Sequence, residues 1–273
     1  MGSPVHVRPA AASDYVVYAR LFPELGVDDA ILEPSHWEHG YLASTLIAES
    51  PTEGAVGYLY FQVLGDVGYV RHVAVAKEGR RRGVGRSLFD RFLAILRERD
   101  VSRFCLNVKP DNHGALALYA GYGMLPKYRS AVIRFPWALV EGLPPCPDAV
   151  ARPLVPADEG ALNLRFGLPS AQLSEARRLG RVLLTVTRGG DEALAAAAFD
   201  PKFPGAFPFR VADPDLAGPL LAALRPHALP HLPDMQVVLE NDDALADRLV
   251  RRGGVRKLDV VHLEGTLEGP VPP

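Results

Sequence analysis

The segment Val73-Ala74-Val75-Ala76-Lys77-Glu78-Gly79-Arg80-Arg81-Arg82-Gly83-Val84-Gly85-Arg86-Ser87-Leu88 has the residue types needed to hold an anion. A strand-like apolar run enters a loop of glycine and arginine, and an amphipathic pattern leaves it. The first amides of a helix lack intrahelical acceptors, and the helix dipole favours negative charge there. Gly83 and Gly85 would let a diphosphate approach the backbone without interference from a Cβ. Arg80, Arg81, Arg82 and Arg86 add guanidinium groups, which suit phosphate oxygens. Two familiar phosphate-binding patterns fail. A P-loop requires Gly-x4-Gly-Lys-Ser/Thr, but Arg80 stands at the first glycine and Arg86 at the lysine. A dinucleotide fingerprint wants a third glycine, and Leu88 stands there. The pattern Arg80-x-x-Gly83-x-Gly85 fits neither.

The elements that must position this loop follow from hydrophobic periodicity. Strands are expected at Val5–Arg8, Leu46–Glu49, Val56–Val63, Tyr69–Val75, Phe104–Val108 and about Ser130–Phe135. A helix is expected from about Asp14 to Leu25, and a second helical region around Pro34–Ala43. A long amphipathic helix carries Leu88, Phe89, Phe92, Leu93 and Leu96 on one face, and Asp111 or Asn112 caps a further helix that carries Tyr119. Strands and helices mix without strict alternation. The fold class expected is therefore α/β (α+β), a mixed central sheet flanked by helices.

The 273-residue chain has room for two such units. The stretch from Phe135 to Pro156, with Pro144, Pro145 and Pro147, reads as a connection, giving domains over residues 1–140 and 145–273. The flanking segments echo each other. Val7-Arg8-Pro9 leads to Asp14 as Ala151-Arg152-Pro153 leads to Asp158. Asn112, Ala115, Leu118, Tyr119 and Gly123 match Asp243, Ala246, Leu249, Val250 and Gly254 in spacing. The expectation is a duplicated unit.

Composition excludes several classes of function. A net charge of −2 gives no global pull toward nucleic acid or an anionic membrane, and Arg80–Arg82 lack aromatic interleaving. No apolar run approaches the ~20 residues of a membrane span, and no signal peptide is visible. Gly2 is followed by His6 where myristoylation wants Ser or Thr. Cys105 and Cys146 suit a reducing cytosol, so a cytoplasmic monomer or homodimer is expected. His36-x-x-His39 and His227-x3-His231 lack a third ligand, and no metal is expected.

Arg80-x-x-Gly83-x-Gly85 after Val73-x-Val75 resembles the pyrophosphate loop of the GNAT N-acyltransferase superfamily. Downstream, Asn112-x-x-Ala115-x-x-Leu118-Tyr119-x-x-x-Gly123-Met124 is similar to that family's Asn-x-x-Ala-x-x-Leu-Tyr-x-x-x-Gly-Phe segment. The resemblance covers nearly all of residues 1–140. It implies transfer of an acetyl or short acyl group from acetyl-CoA or another CoA thioester to an amine, borne by a small molecule or by a protein or peptide.

By that resemblance Val73, Ala74 and Val75 would face the pantetheine arm, and the loop from Arg81 through Gly83, Val84 and Gly85 to Arg86 and Ser87 would hold the pyrophosphate. Arg80 would fix the loop, and Asn112 would touch the cofactor or merely cap its helix. Tyr119 matches the family's general acid for the departing thiolate. The base is less defined. Tyr69 and Asn107 occupy the places where relatives often carry glutamate, His72 has a suitable reference pKa, and Glu33, Glu38 and His36 are alternatives.

The second half offers Asp213 and Asp215 where the basic loop should be, and Val250 where Tyr119 should be. A degenerate copy without cofactor chemistry is expected there. A non-catalytic acyl-CoA sensor is the competing reading for the whole chain.

Overall fold

The computed structural model describes residues 5–27 and 30–267, which fall into two compact units. Gly2 lies outside the described residues. Unit 1 comprises Met1–Val108, Asn112–Pro126 and Leu263–Pro273, and unit 2 comprises Lys109–Asp111 and Lys127–His262.

Unit 1 contains β1 (His6–Pro9), α1 (Tyr15–Leu21), a short turn α2 (Pro34–His36), β2 (Thr45–Ser50), β3 (Gly54–Leu64), β4 (Val67–Val75), α3 (Val84–Glu98), β5 (Arg103–Val108) and α4 (His113–Ala120). The strands lie in the order β1-β2-β3-β4-β5. Neighbours are antiparallel except β4 and β5, which are parallel. The i, i+4 spacing of Leu88, Phe89, Phe92, Leu93 and Leu96 puts all five on the buried face of α3. That face approaches β4 so closely that a Cβ at Gly68 would lie 2.6 Å from Leu96. On the opposite face of the sheet, Tyr18, Leu21, Phe22 and Trp37 pack on Ile47, Tyr58 and Tyr60.

Two helical expectations are broken into pieces. The helix expected over Asp14–Leu25 ends at Leu21 and continues as a 3-10 turn, Phe22–Leu25, because Pro23 has no amide to donate and Gly26 turns left-handed at φ 63°. The region 34–43 forms α2, then a π turn at Trp37–Tyr41 and a 3-10 turn at Leu42–Ser44, which brings Trp37 into the core.

Unit 2 contains most of β6 (Leu125–Pro136), then α5 (Ala138–Glu141), β7 (Ala149–Pro153), α6 (Pro156–Phe166), α7 (Gln172–Arg178), β8 (Val182–Arg188), β9 (Ala195–Asp200), β10 (Gly205–Val211), α8 (Ala217–Leu224), β11 (Asp234–Glu240), α9 (Asp243–Arg251) and most of β12 (Val255–Thr266). Its order is β6-β11-β10-β9-β8-β7, with β10 and β11 parallel.

The compact units do not divide at the proline-rich stretch. β6 pairs antiparallel with β11 from Ser130↔Glu240 to Pro136↔Asp234, so it belongs largely to unit 2. The end of β12 belongs to unit 1. Gly265 there faces Phe104, where an added Cβ would meet the ring at 2.5 Å, and the Leu267 amide donates to Ser102 O at 2.8 Å. Buried backbone groups must find partners, and the available strand edge decides the grouping rather than position along the chain.

The echo between the halves is a physical one. Arg8 donates to Pro9 O and to both carboxylate oxygens of Asp14, which also accepts from the Ala11 amide. Arg152 donates to Pro153 O and both oxygens of Asp158, which accepts from the Val155 amide. In each case the arginine holds the carboxyl below the usual range.

At the other end the register differs by one residue from the spacing in the sequence. Asn112 caps α4 through the Ala115 amide, and Asp242, not Asp243, caps α9 through the Leu245 amide. Gly123 and Gly253 both turn left-handed, at φ 73° and 101°. Tyr119 therefore corresponds to the buried Leu249 rather than to the half-exposed Val250. Caps and left-handed glycines define a helix more strictly than recurrent alanine and leucine do.

Candidate active site

β4 lies inside the sheet of unit 1, yet Arg71, His72, Val73 and Val75 keep partial exposure. The register explains this. Val67 to Val70 pair in parallel with Arg103 to Leu106, and the pairing stops there although both strands continue. A strand turns its N–H and C=O groups alternately to its two neighbours. Those of Val73–Val75 not bonded to β3 therefore line a gap toward β5.

On the β3 side one residue is supernumerary. Tyr60 pairs with His72 and Phe61 with Val70, leaving Arg71 as a bulge. Bulges re-aim side chains and recur beside active sites. Here the guanidinium of Arg71 stacks 3.7 Å over the Tyr69 ring and donates from Nε to Gln62 Oε1 at 2.8 Å. Neither Arg71 nor Gln62 was singled out from the sequence, since a bulge exists only relative to a partner strand.

His72 is ringed by Phe22, Tyr41, Tyr58 and Tyr60, with centroids 5.5 to 6.1 Å away. Its Nδ1 lies 3.4 Å from Tyr58 Oη. Desolvation by these rings, and then the charge of Arg71, hold the imidazole down at about 4. It is neutral at physiological pH. Asn107 and Tyr69 satisfy one another, Nδ2 donating to Oη at 2.9 Å. Glu33 and Glu38 are exposed, and His36 is half-buried.

The loop after β4 is braced by arginine. Arg80 donates from Nε to Val75 O at 3.2 Å and from Nη2 to Glu24 at 2.6 Å, which ties its side chain to the end of β4. Arg82 grips both oxygens of Glu53 at 2.7 and 2.8 Å. Two of the four guanidiniums thus have carboxylate partners. Among the described residues, Arg81 and Arg86 make no ion pair.

Arg81 and Gly83 are left-handed, at φ 61° and 86°. Gly83 is the N-cap of α3, and no side chain caps that helix end. The Ser87 amide donates to Gly83 O at 2.9 Å, so the preceding amides of Val84, Gly85 and Arg86 point out of the helix end. Ser87 itself offers only its hydroxyl. Gly85 has a packing role in addition to the one expected. A Cβ there would lie 3.3 Å from Leu118 of α4, so its absence serves helix packing.

Asn112 accepts from the Ala115 amide at 3.1 Å. Tyr119 packs its buried ring on Phe89 at 5.4 Å, and burial pushes its phenol well above the ordinary value. Tyr122, which sequence reasoning missed, donates to Arg86 O at 3.3 Å and to Asp90, tying the end of α4 to the start of α3. Its only signal in the sequence is a phenol beside Gly123.

A parted parallel strand pair, an uncapped helix start and a buried tyrosine on the following helix form one contiguous arrangement. Residues 15–124 match the model of the acetyltransferase (GNAT) family. Residues 15–124 carry the sequence pattern of a GNAT acetyltransferase domain. A Bacillus subtilis protein assigned as a ribosomal protein bS18 alanine N-acetyltransferase is 31% identical over 70 residues, 26% of this chain. That alignment spans less than half, 46%, of the relative's length. The GCN5-related N-acetyltransferase of Sphaerobacter thermophilus shares the fold at a TM-score of 0.69 and 17% identity, covering 99% of this chain and 98% of the other. A tandem GNAT protein from the clavulanic acid biosynthesis pathway does so at 0.62 and 16%, covering 98% and 99%. The duplicated GNAT fold is therefore shared along the whole chain.

Unit 2 repeats the GNAT arrangement and closes it. β10 shifts register against β9 between Ala206 and Phe209, as β4 does against β3. Beyond the paired residues of β10 and β11, Arg210 spans the interval, donating to Glu240 O at 2.6 Å and pairing with its carboxylate at 2.8 Å. Tyr128 donates to the same carboxylate at 2.9 Å. In the loop before α8, Asp213 accepts from the Asp215 amide at 2.9 Å, so a carboxylate of the chain occupies the turn where unit 1 leaves amides open. Among the described residues, unit 2 thus has Leu249 where unit 1 has the phenol of Tyr119, and Asp213 where unit 1 has open amides.

The His72 environment predicts acid sensitivity of the fold. Its folded value lies below its ordinary one, so the unfolded chain takes up the proton first as pH falls. The contribution to stability is complete above pH ~6.5 and is lost progressively toward pH 4, an interval corresponding to about 3 kcal/mol. Urea unfolding at pH 7.5 and 4.5 is expected to show the wild type losing ~2–3 kcal/mol more than His72→Gln. Equal losses in both proteins would refute the depressed imidazole.

Proposed function

We propose that unit 1 transfers a short acyl group, acetyl in the first instance, from CoA thioester directly to an amine on a small molecule or a peptide. The observation that carries this reading is the continuity of the parted β4 edge with the glycine-opened, uncapped start of α3. The residues present fit such a co-substrate. Val73, Ala74 and Val75 offer strand groups to a pantetheine amide, and the amides of Val84, Gly85 and Arg86 face a diphosphate with Arg81 and Arg86 beside it. Arg80, Arg82 and Ser87 support that loop, and Asn112 holds the start of α4 against it.

Acyl-CoA supplies an activated carbonyl and a thiolate leaving group. Tyr119 donates its proton to the departing sulfur and is reprotonated from water. A thiol with an ordinary pKa near 8.5 leaves more readily when protonated. His72 accepts a hydrogen bond from the incoming amine in its neutral form. With its basicity held at about 4 it stores the proton poorly, and water carries the proton away.

No described helix is long and apolar enough to cross a membrane. We place the reaction in the cytoplasm, in a monomer or homodimer that acts on amines rather than on nucleic acid. Calorimetry with CoA, followed by thiol-release assays with acetyl-CoA and a panel of amines, tests the reading. Saturable CoA binding and amine-dependent CoA release are expected. Binding without release would leave a sensor, and no binding at millimolar CoA would overturn the site itself.

A further inference from the structure

We propose that Tyr122 is a positioning residue for the acid step: its hydroxyl holds the Tyr119-bearing helix in register with the helix that faces the diphosphate. This rests on the acyl-transfer reading above and deepens it. The reaction asks one thing of each of two helices, open amides from the start of α3 and a phenol from α4. The two helices must therefore keep a fixed offset while the proton is transferred.

Apolar contacts alone leave that offset loose. A Cβ at Gly85 would lie 3.3 Å from Leu118, and Phe89 packs on the rings of Tyr119 and Tyr122 at 5.4 and 4.6 Å. Such contacts are non-directional and tolerate sliding. The Tyr122 hydroxyl adds direction. It donates to Arg86 O at 3.3 Å and to the Asp90 carboxylate, two acceptors about one turn apart on α3. A single contact can pivot, whereas two contacts a turn apart fix both height and rotation.

The link from Tyr122 to the acid is equally short. The amides of Tyr122 and Met124 both donate to Tyr119 O, at 3.0 and 3.2 Å, around the left-handed Gly123. The turn that carries Tyr122 is thus bonded to the backbone of Tyr119 itself. Burial, and then the Asp90 carboxylate, raise the Tyr122 phenol, so it stays a donor while Tyr119 gives up and regains its proton.

The test is single-turnover CoA release by the full-length protein, beside CoA affinity by calorimetry. Tyr122→Phe keeps the ring on Phe89 and removes the hydroxyl. It is expected to slow release about threefold to tenfold, no further than Tyr119→Phe does, with CoA affinity within about twofold of the parent. In a Tyr119→Phe background the same change is expected to alter release by less than about twofold, because no acid is left to position. A bond that only stabilised the fold would not distinguish the two backgrounds. Asp90→Ala, at an exposed position of α3, is expected to slow release by a smaller factor with the same dependence on Tyr119, and it decides where Tyr122→Phe does not fold. Release at the parent rate, a loss confined to CoA affinity, or a slowing equally large without the Tyr119 hydroxyl would each overturn the proposal. Failure of the acyl-transfer reading looks different, since the parent itself would then neither bind CoA nor release it.

Discussion

Gly83→Asp is expected to weaken CoA binding at least ~100-fold while leaving stability within about 1 kcal/mol of the parent. Gly83 is the N-cap of α3, where aspartate ranks among the preferred residues. A carboxylate there would accept from the outward amides of the first turn. The left-handed φ of 86° opposes the change, but aspartate tolerates that region better than most residues. The two effects on the fold therefore offset each other. For the ligand they do not. A diphosphate would lose about two charge-assisted hydrogen bonds, ~3 kcal/mol, and would meet a like charge as well. Unit 2 displays the outcome already, with Asp213 accepting from the amide of Asp215. Calorimetry with CoA and urea unfolding of the same preparation separate binding from folding. Unchanged affinity would show that the diphosphate does not sit at this helix start.

Tyr119→Phe is expected to lower turnover at least ~10-fold, the low end for loss of a general acid, with little change in CoA affinity. The phenylalanine ring preserves the contact with Phe89, so the change removes one hydroxyl from a buried site. Burial raises the phenol, which keeps it protonated through any practical assay range. A general acid works only below its own pKa, so no loss of activity from its ionisation is expected below pH ~10. Single-turnover measurement of CoA release tests the chemical step directly. A variant that releases CoA at the parent rate would remove Tyr119 from the mechanism.

Much of the site is legible in the residues because its interactions are local. Gly83, the arginines around it and the apolar face of α3 announce a glycine-opened helix start ringed by guanidinium groups within one short stretch. Arg8 with Asp14, and Arg152 with Asp158, announce a repeat because both partners sit within one turn of chain. The finer register does not follow in the same way. Spacing of alanine and leucine aligns Tyr119 with Val250, whereas the capping contacts of Asn112 and Asp242 align it with Leu249. Those contacts are local, but Asp242 and Asp243 are adjacent and either could cap, so spacing alone leaves the register open. The packing role of Gly85 was hidden for another reason, because Leu118 lies on another helix.

The residues by themselves determined that a strand, a glycine-opened loop and an amphipathic helix follow one another, and that a tyrosine-bearing helix comes after them, since helix starts, caps and turns are set within a few positions. Only the tertiary structure decided that β4 and β5 part beyond Val70 and Leu106, that Arg71 is pushed out as a bulge beside a desolvated His72, and that the end of β12 completes unit 1. Pairing, bulging and desolvation are properties of neighbours, and the neighbours that create this site lie far away along the chain.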